Sequence, residues 1–175
     1  MPDLSAGGGP TFIGYRPGII ADIVGLHARY YARNWSFGAQ FEALVAEELG
    51  HFVAGHDPDQ DLFLNAVDGD AHLGSIVIDR TVSGRPDAAK LRWFIVSDAA
   101  RGTGIGRALL ARALAFSDER DTARITLSTF AGLDAARHLY EAHGFVLVHE
   151  AGSDRWHGGV GQQTFERTAP HREGS

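Results

Sequence analysis

Leu91-Arg92-Trp93-Phe94-Ile95-Val96, then Arg101-Gly102-Thr103-Gly104-Ile105-Gly106-Arg107, then Ala108-Leu109-Leu110 is the stretch on which the fold turns. The first run is nearly all apolar and reads as a central strand buried on both faces. The last opens a helix whose apolar stripe is Ile105, Leu109, Ala113 and Phe116. The glycines between them let another molecule come close to the backbone, and the helix start leaves N–H groups without acceptors. Such a junction attracts anions, phosphates above all. Gly is 22 of 175 residues, against about 7% on average, and three of them stand in this turn.

Four readings of the turn compete. A dinucleotide turn needs Gly-x-Gly-x-x-Gly, but counting from Gly102 puts Arg107 in the last position, and counting from Gly104 puts Leu109 there. A P-loop needs Gly-Lys-Ser/Thr, which is absent. A pyrophosphate loop for coenzyme A is the third reading, and a turn that serves only chain reversal is the fourth.

Working outward, Thr11 to Arg16 reads as a short strand, with Pro17 opening a helix whose face is Ile20, Ile23, Val24, His27 and Tyr31. A second helix, Ala39 to Ala54, presents Phe41, Leu44, Val45 and Phe52, with Leu49 at the edge. Asp61 to Val67 and His72 to Asp79 form a hairpin about Asp68-Gly69. Arg124 to Phe130 is a strand with Ile125 and Leu127 inward; Asp134 caps a helix that ends at Gly144; Phe145 to His149 and Gln162 to Arg167 close the chain as strands. The order is β-α-α-β-β-β-α-β-α-β-β. The fold class is α/β with about seven strands in a mixed, mostly antiparallel twisted sheet and four helices, since the consecutive strands rule out a doubly wound parallel sheet. Residues 1–10 read as a flexible leader, 11–168 as one domain and 169–175 as a polar tail.

Composition narrows function. An apolar fraction of 44% and a charged fraction of 22% suit a globular domain. The net charge of −6 argues against general nucleic-acid binding and is compatible with cationic amines. With no Cys, thiolate nucleophiles and Cys-ligated zinc are excluded, and a reducing, cytoplasmic setting fits. The N-terminus lacks the basic start and apolar run of a signal peptide, and no segment approaches the ~18 apolar residues of a membrane span. His138 and His143 are five apart, no His-Glu-x-x-His occurs, and no metal is expected.

The motifs carry a resemblance. Arg101-Gly102-Thr103-Gly104-Ile105-Gly106 resembles the Arg/Gln-x-x-Gly-x-Gly/Ala motif of the GCN5-related N-acetyltransferase (GNAT) superfamily, and Ala136-x-x-Leu139-Tyr140-x-x-x-Gly144-Phe145 resembles its second block. The likeness covers about residues 11–168. Leu26-His27 and Phe41-Glu42 are similar to GNAT domains fused to MarR-type regulators, but no winged-helix segment precedes them and no DNA-reading role is expected. The resemblance implies direct transfer of an acetyl group from acetyl-CoA to a primary amine. It implies a pyrophosphate on the amides of Gly102, Thr103, Gly104, Ile105, Gly106 and Arg107, with Arg101 and Arg107 adding charge. It also implies pantetheine beside Phe94, Ile95 and Val96, with an N–H near Val96 polarising the acetyl carbonyl. Such a donor is worth about 2.7–4 kcal/mol of barrier.

Tyr140 matches the family's general acid. A phenol near pKa 10 protonating a thiolate near 8.5 is slightly uphill, so a lowered pKa would help. Many members carry Asn seven residues before this tyrosine; here Leu133 stands there, with Thr129 or Asp134 as substitutes. Arg137 reaches a phosphate or is a solvated charge. His27 and Glu48 lie in apolar helix stripes and, with Tyr31, are expected at the amine pocket, because a buried carboxylate or imidazole is suited to binding or deprotonating an ammonium. Tyr30, Tyr31, Trp35 and Phe37 enclose an aromatic acceptor or form core. Arg92 binds a substrate carboxylate or pairs with a core acid, and the loop Gly152 to Gly161, with Trp156 and His157, is a lid or an ordinary loop. The expected function is N-acetylation of a small amine or amino-acid-like acceptor. A non-catalytic acyl-CoA sensor and a peptide or protein N-acetyltransferase are the alternatives, and a homodimer is allowed.

Overall fold

The structure, a computed structural model, describes residues 9–152 and 160–169. The expected order is observed: β1 (Thr11–Ile13), α1 (Ile19–Trp35), α2 (Ala39–Gly55), β2 (Leu62–Asp68), β3 (Ala71–Asp79), β4 (Ala88–Val96), α3 (Ile105–Glu119), β5 (Arg124–Phe130), α4 (Asp134–Ala142), β6 (Val146–Ala151) and β7 (Gln162–Thr168), with a 3₁₀ turn at Asp98–Ala100. The strands make one sheet in the order β1-β2-β3-β4-β5-β7-β6. All neighbours are antiparallel except β4 and β5. None of the described helices is long and apolar enough to cross a membrane.

Two cores form because strand residues alternate between faces. One joins α3 (Leu109, Leu110, Ala113) to Ile76, Ile78, Ile125 and Leu127. The other joins α1 and α2 (Ile23, Leu49, Phe52) to Phe63, Val77 and Trp93. Tyr140 and Phe145, from α4 and its C-terminal turn, complete the first core.

β4 departs from regular alternation at Trp93. Val77 opposes Arg92 and Ser75 opposes Ile95, so β4 spends three steps where β3 spends two. This is a bulge, and its residue Trp93 has φ +45, in the left-handed region that a bulky side chain rarely adopts. The bulge places Leu91 in the α3 core and Trp93 in the α1–α2 core, although they are two residues apart. The Ser75 hydroxyl donates to the Trp93 carbonyl at 2.7 Å and holds the distortion from within.

The pairing of β4 with β5 is short. Ala88, Ala89 and Lys90 oppose Arg124, Ile125 and Thr126, and there the ladder ends. Beyond it, Leu91–Val96 stays with β3 and Leu127–Phe130 stays with β7. The sheet therefore opens in its middle.

Local expectations change in four places. Pro17 lies outside α1, whose cap is Gly18 at φ +90. Leu49 is fully buried at the centre of the α2 face, while Leu44 sits at its edge, because the helix is rotated slightly from the expected register. Asp134 is the first residue of α4 rather than its cap; Leu133 holds that position without a side-chain hydrogen bond. β4 alternates between buried and half-buried residues instead of being buried on both faces, because one of its edges lines the opening. Residues 1–8, most of the expected lid with Trp156 and His157, and 170–175 lie outside the described residues.

Candidate active site

The opening between β4 and β5 carries a cleft of about 440 Å³. Tyr30 and Tyr31 of α1 form one wall, and Phe94, Ile95 and Val96 of β4 another. Gly106 of α3, Thr129 of β5, and Leu133, Asp134, Leu139 and Tyr140 at α4 close it. Half of the expected cofactor residues (Phe94, Ile95, Val96, Arg101 and Gly106) line this cleft together with Tyr140.

Antiparallel geometry fixes where the backbone points. The Ser97 N–H donates to the Leu73 carbonyl at 2.8 Å, so this pair is hydrogen-bonded across β3 and β4. The next pair, Gly74 with Val96, is then of the non-hydrogen-bonded type, and its peptide groups face outward. The Val96 N–H consequently points away from β3, toward the opening. Strands approach most closely at such pairs. A Cβ on Gly74 would lie 2.7 Å from the Ile95 carbonyl oxygen, which is why glycine stands there.

The glycine turn is held in the shape its sequence implies. Gly102 and Gly104 have φ of +74 and +88, and Gly104 caps α3. The Ala108 N–H takes the Gly104 carbonyl, so the N–H groups of Ile105, Gly106 and Arg107 precede the first intrahelical bond. A Cβ on Gly106 would sit 3.3 Å from Val96 and 3.6 Å from Phe94, so the missing side chain keeps the junction of turn and strand open. Arg107 is exposed. Arg101 pairs with Asp98 at 3.3 Å and lies 4.5 Å over the Tyr30 ring. A strand edge with a free N–H, leading to a turn with three more, fits a chain that is amide-bearing at one end and pyrophosphate-bearing at the other.

Tyr140 is 5% exposed, with its ring against Phe94, Phe145 and Phe165. Burial, with Tyr31 nearby, pushes its phenol above the ordinary tyrosine range. This direction is opposite to the lowering that would help proton transfer: burial disfavours the phenolate and keeps the group protonated. Leu133, Thr129 and Asp134 all line the cleft, so both proposed substitutes for the family's Asn are in reach of it. Arg137 pairs with Glu141 at 2.8 Å one turn along α4.

A second cavity, about 720 Å³, lies against β4 before the bulge, between α2 (Leu44, Glu47, Glu48, His51) and Asp79, Arg92, Trp93, Ser128 and Gln162. Glu48 is on its wall, half-exposed rather than in the core. Arg92 settles its own alternatives: one terminal nitrogen donates to Glu48 at 2.5 Å, the other to buried Asp79 at 3.1 Å, and the guanidinium lies 4.0 Å over Trp93. Asp79 and Ser128 escaped sequence reading; the signal was a lone acid ending the apolar run Ile76-Val77-Ile78.

His27, expected at the amine pocket, lines neither cavity. It is 6% exposed in the α1 core, with Nδ1 2.8 Å from the Ile23 carbonyl, and burial pushes its pKa down to about 4. The stripe that made it conspicuous is the stripe that buries it. Tyr31 lines the cleft and at the same time packs on Phe37, Phe41 and Phe130. Among the described residues no group of three His, Asp or Glu is placed to hold a metal ion.

Comparison with curated proteins gives no match. Solved structures of the same fold are numerous. Ribosomal-protein-alanine N-acetyltransferase from Brucella melitensis is 17% identical over 91% of this chain and 99% of that one, with a TM-score of 0.73. A GCN5-related N-acetyltransferase from Kribbella flavida is 22% identical over 91% and 98%, TM-score 0.69. A candidate phosphinothricin N-acetyltransferase is 18% identical over 93% and 100%, TM-score 0.73. None of these matches involves a MarR-type regulator. The acetyltransferase (GNAT) family model matches residues 21–145, from the first turn of α1 to the residue after Gly144. A match over that much of the sequence, on a sheet that opens where the family motif lies, places the chain in the acetyltransferase (GNAT) family.

Proposed function

We propose that the protein transfers an acetyl group from acetyl-CoA to a small amine by direct attack, with Tyr140 as general acid. The observation that carries this reading is the junction of the outward-facing Val96 N–H, the buried Tyr140 phenol and the glycine turn along one cleft. On it, the pyrophosphate lies on the amides of Ile105, Gly106 and Arg107 beside Arg101 and Arg107, and pantetheine runs along Phe94–Val96. The amine lone pair attacks the thioester carbonyl, the Val96 N–H donates to the developing oxyanion, the C–S bond breaks, the Tyr140 proton goes to the sulfur, and the proton lost by the attacking nitrogen passes to solvent, from which the Tyr140 phenolate is reprotonated. The Tyr140 phenol starts above its ordinary pKa, so it transfers its proton only as negative charge builds on sulfur.

The larger cavity, across β4, receives the acceptor. Both terminal nitrogens of Arg92 are engaged, so it is not a receptor for a substrate carboxylate. This favours a simple amine over an α-amino acid, with Glu48 at the wall to attract or deprotonate the ammonium. The protein-acetylating reading keeps one support: a neighbour of the same fold is named for ribosomal-protein alanine. Release of free CoA in a panel of amines, amino acids and peptides tests all three. Turnover with simple amines supports the proposal, turnover confined to peptides refutes the small-acceptor part, and acetyl-CoA binding without turnover in any mixture refutes catalysis.

A further inference from the structure

Beside the cleft, sharing Tyr30, Ile95, Val96 and Arg101 with it, lies a separate recess of about 340 Å³ between α1 and the end of β4. We infer that it is an anion subsite, in which Arg29 and Arg33 of α1 join Arg101 to hold phosphate groups of the acyl-CoA co-substrate. This rests on the acetyl-CoA reading above and adds residues from α1, outside the glycine turn.

Three guanidinium groups, Arg29, Arg33 and Arg101, line the recess with a single carboxylate, Asp98. That carboxylate is shared: Arg33 pairs with it at 2.6 Å and Arg101 at 3.3 Å. The two arginines hold Asp98 below the ordinary carboxylate range, as expected of one anion serving two cations. Arg29 and Arg33 are four residues apart and so share a helix face. Arg29 Nη1 lies 2.9 Å from the place a Cβ on Gly25 would occupy, so the bare backbone there lets the guanidinium lie along the helix. The Ser97 hydroxyl, on the recess wall, is buried and has no hydrogen-bond partner.

A chain of net charge −6 thus collects a local excess of cations beside its anion-binding turn. Like charges placed together oppose folding unless something offsets them, and one carboxylate offsets only part. Arginine suits the task, since its planar fork meets phosphate in bidentate fashion. Asp98 then acts as a stand-in anion, keeping Arg33 and Arg101 extended over the recess until phosphate displaces it.

The test compares acetyl-CoA with S-acetylpantetheine, which offers the same thioester without phosphates. In the Arg29→Gln/Arg33→Gln double variant, KM for acetyl-CoA and the calorimetric Kd for CoA should rise at least tenfold, with S-acetylpantetheine kinetics within twofold of the parent. Asp98→Asn should move KM for acetyl-CoA the other way, because it releases two arginines. Salt should erase the difference between parent and double variant. The inference is overturned if both thioesters weaken equally, if only the amine KM changes, which would make the recess a site for an acidic acceptor, or if nothing changes. If the parent protein itself does not bind CoA, the acetyl-CoA reading falls with it; if parent and double variant bind CoA equally, only the subsite falls. The side chains of Arg33 and Asp98 are more than half exposed, so these changes should leave the thermal midpoint in place, which a melting curve checks.

Discussion

His27 should make the protein acid-sensitive by a calculable amount. Its imidazole is buried in α1 and pushed down to about 4, mainly by desolvation, with His72 adding a smaller effect in the same direction. In the unfolded chain it returns to about 6.5. Between those values the unfolded chain binds the extra proton and the folded one does not, so stability falls as pH drops from about 6.5 toward 4. The full loss below pH 4 is about 3 kcal/mol, at 1.36 kcal/mol per pK unit. Between about pH 7.5 and pH 5 the loss from this group is about 2 kcal/mol. The assay is urea unfolding at both pH values for the parent and for His27→Gln, which cannot titrate. His72 is also shifted down, so the parent's whole loss contains other contributions. The difference between the two slopes isolates His27. If the parent and the variant lose the same stability on acidification, His27 is not held neutral by burial and the core placement is wrong. Activity near pH 7.5 should stay within about twofold of the parent in the variant, since the residue lines neither the cleft nor the larger cavity; a large loss would restore the substrate role its sequence position implied.

Other consequences are open to direct measurement. Tyr140→Phe should lower kcat by about 10²-fold or more at saturating amine, the usual worth of a general acid, with KM for acetyl-CoA little changed; unchanged kcat would remove the acid role. Gly74→Ala should cost about 1–3 kcal/mol by denaturant unfolding, because its Cβ would press on the Ile95 carbonyl at 2.7 Å. Gly104→Ala, at φ +88, should cost about 1 kcal/mol in stability and raise KM for acetyl-CoA through a displaced turn. Arg92→Met leaves Asp79 buried without its cation and should destabilise by about 3 kcal/mol, the lower end for a broken buried pair, because Asp79 keeps bonds from Thr81 and Val82.

The strand and helix order was legible because each element carries its own period and its own stops, and the glycine turn because φ values such as those at 102 and 104 strongly favour Gly. Of the motif residues, Tyr140, Phe94–Val96, Arg101 and Gly106 line one cleft. What the sequence concealed was register. A small rotation of α2 moved Leu49 inward and Leu44 outward, and with it took Glu48 from core to cavity wall. His27 was misassigned because periodicity shows that a polar residue faces inward, without showing whether it meets a cavity or packed side chains. The partners of Arg92 are 13 and 44 residues away, on a different strand and on a helix, and no local pattern encodes such pairings.

The bulge at Trp93 links these observations. A bulky residue at φ +45 costs on the order of 1–3 kcal/mol, so it persists only where its surroundings over-determine it. Here three things do: the Ser75 hydroxyl on its carbonyl, the clamped Arg92 over its ring, and the α1–α2 core around its indole. The strain has a geometric result. It shifts the outward-facing peptide groups of β4 by one residue, so that Val96 and not Ile95 presents its N–H to the opening, and it coincides with the segment where β4 and β5 no longer pair. Peptide groups on an unpaired edge inside a cleft are costly when dry, about 1–3 kcal/mol each, and are satisfied by water or by an incoming amide. A ligand that brings its own amides down that edge recovers this energy on binding. On the proposed function, the distortion therefore favours an extended, amide-bearing co-substrate over a compact one, at the residue proposed to hold the reacting carbonyl.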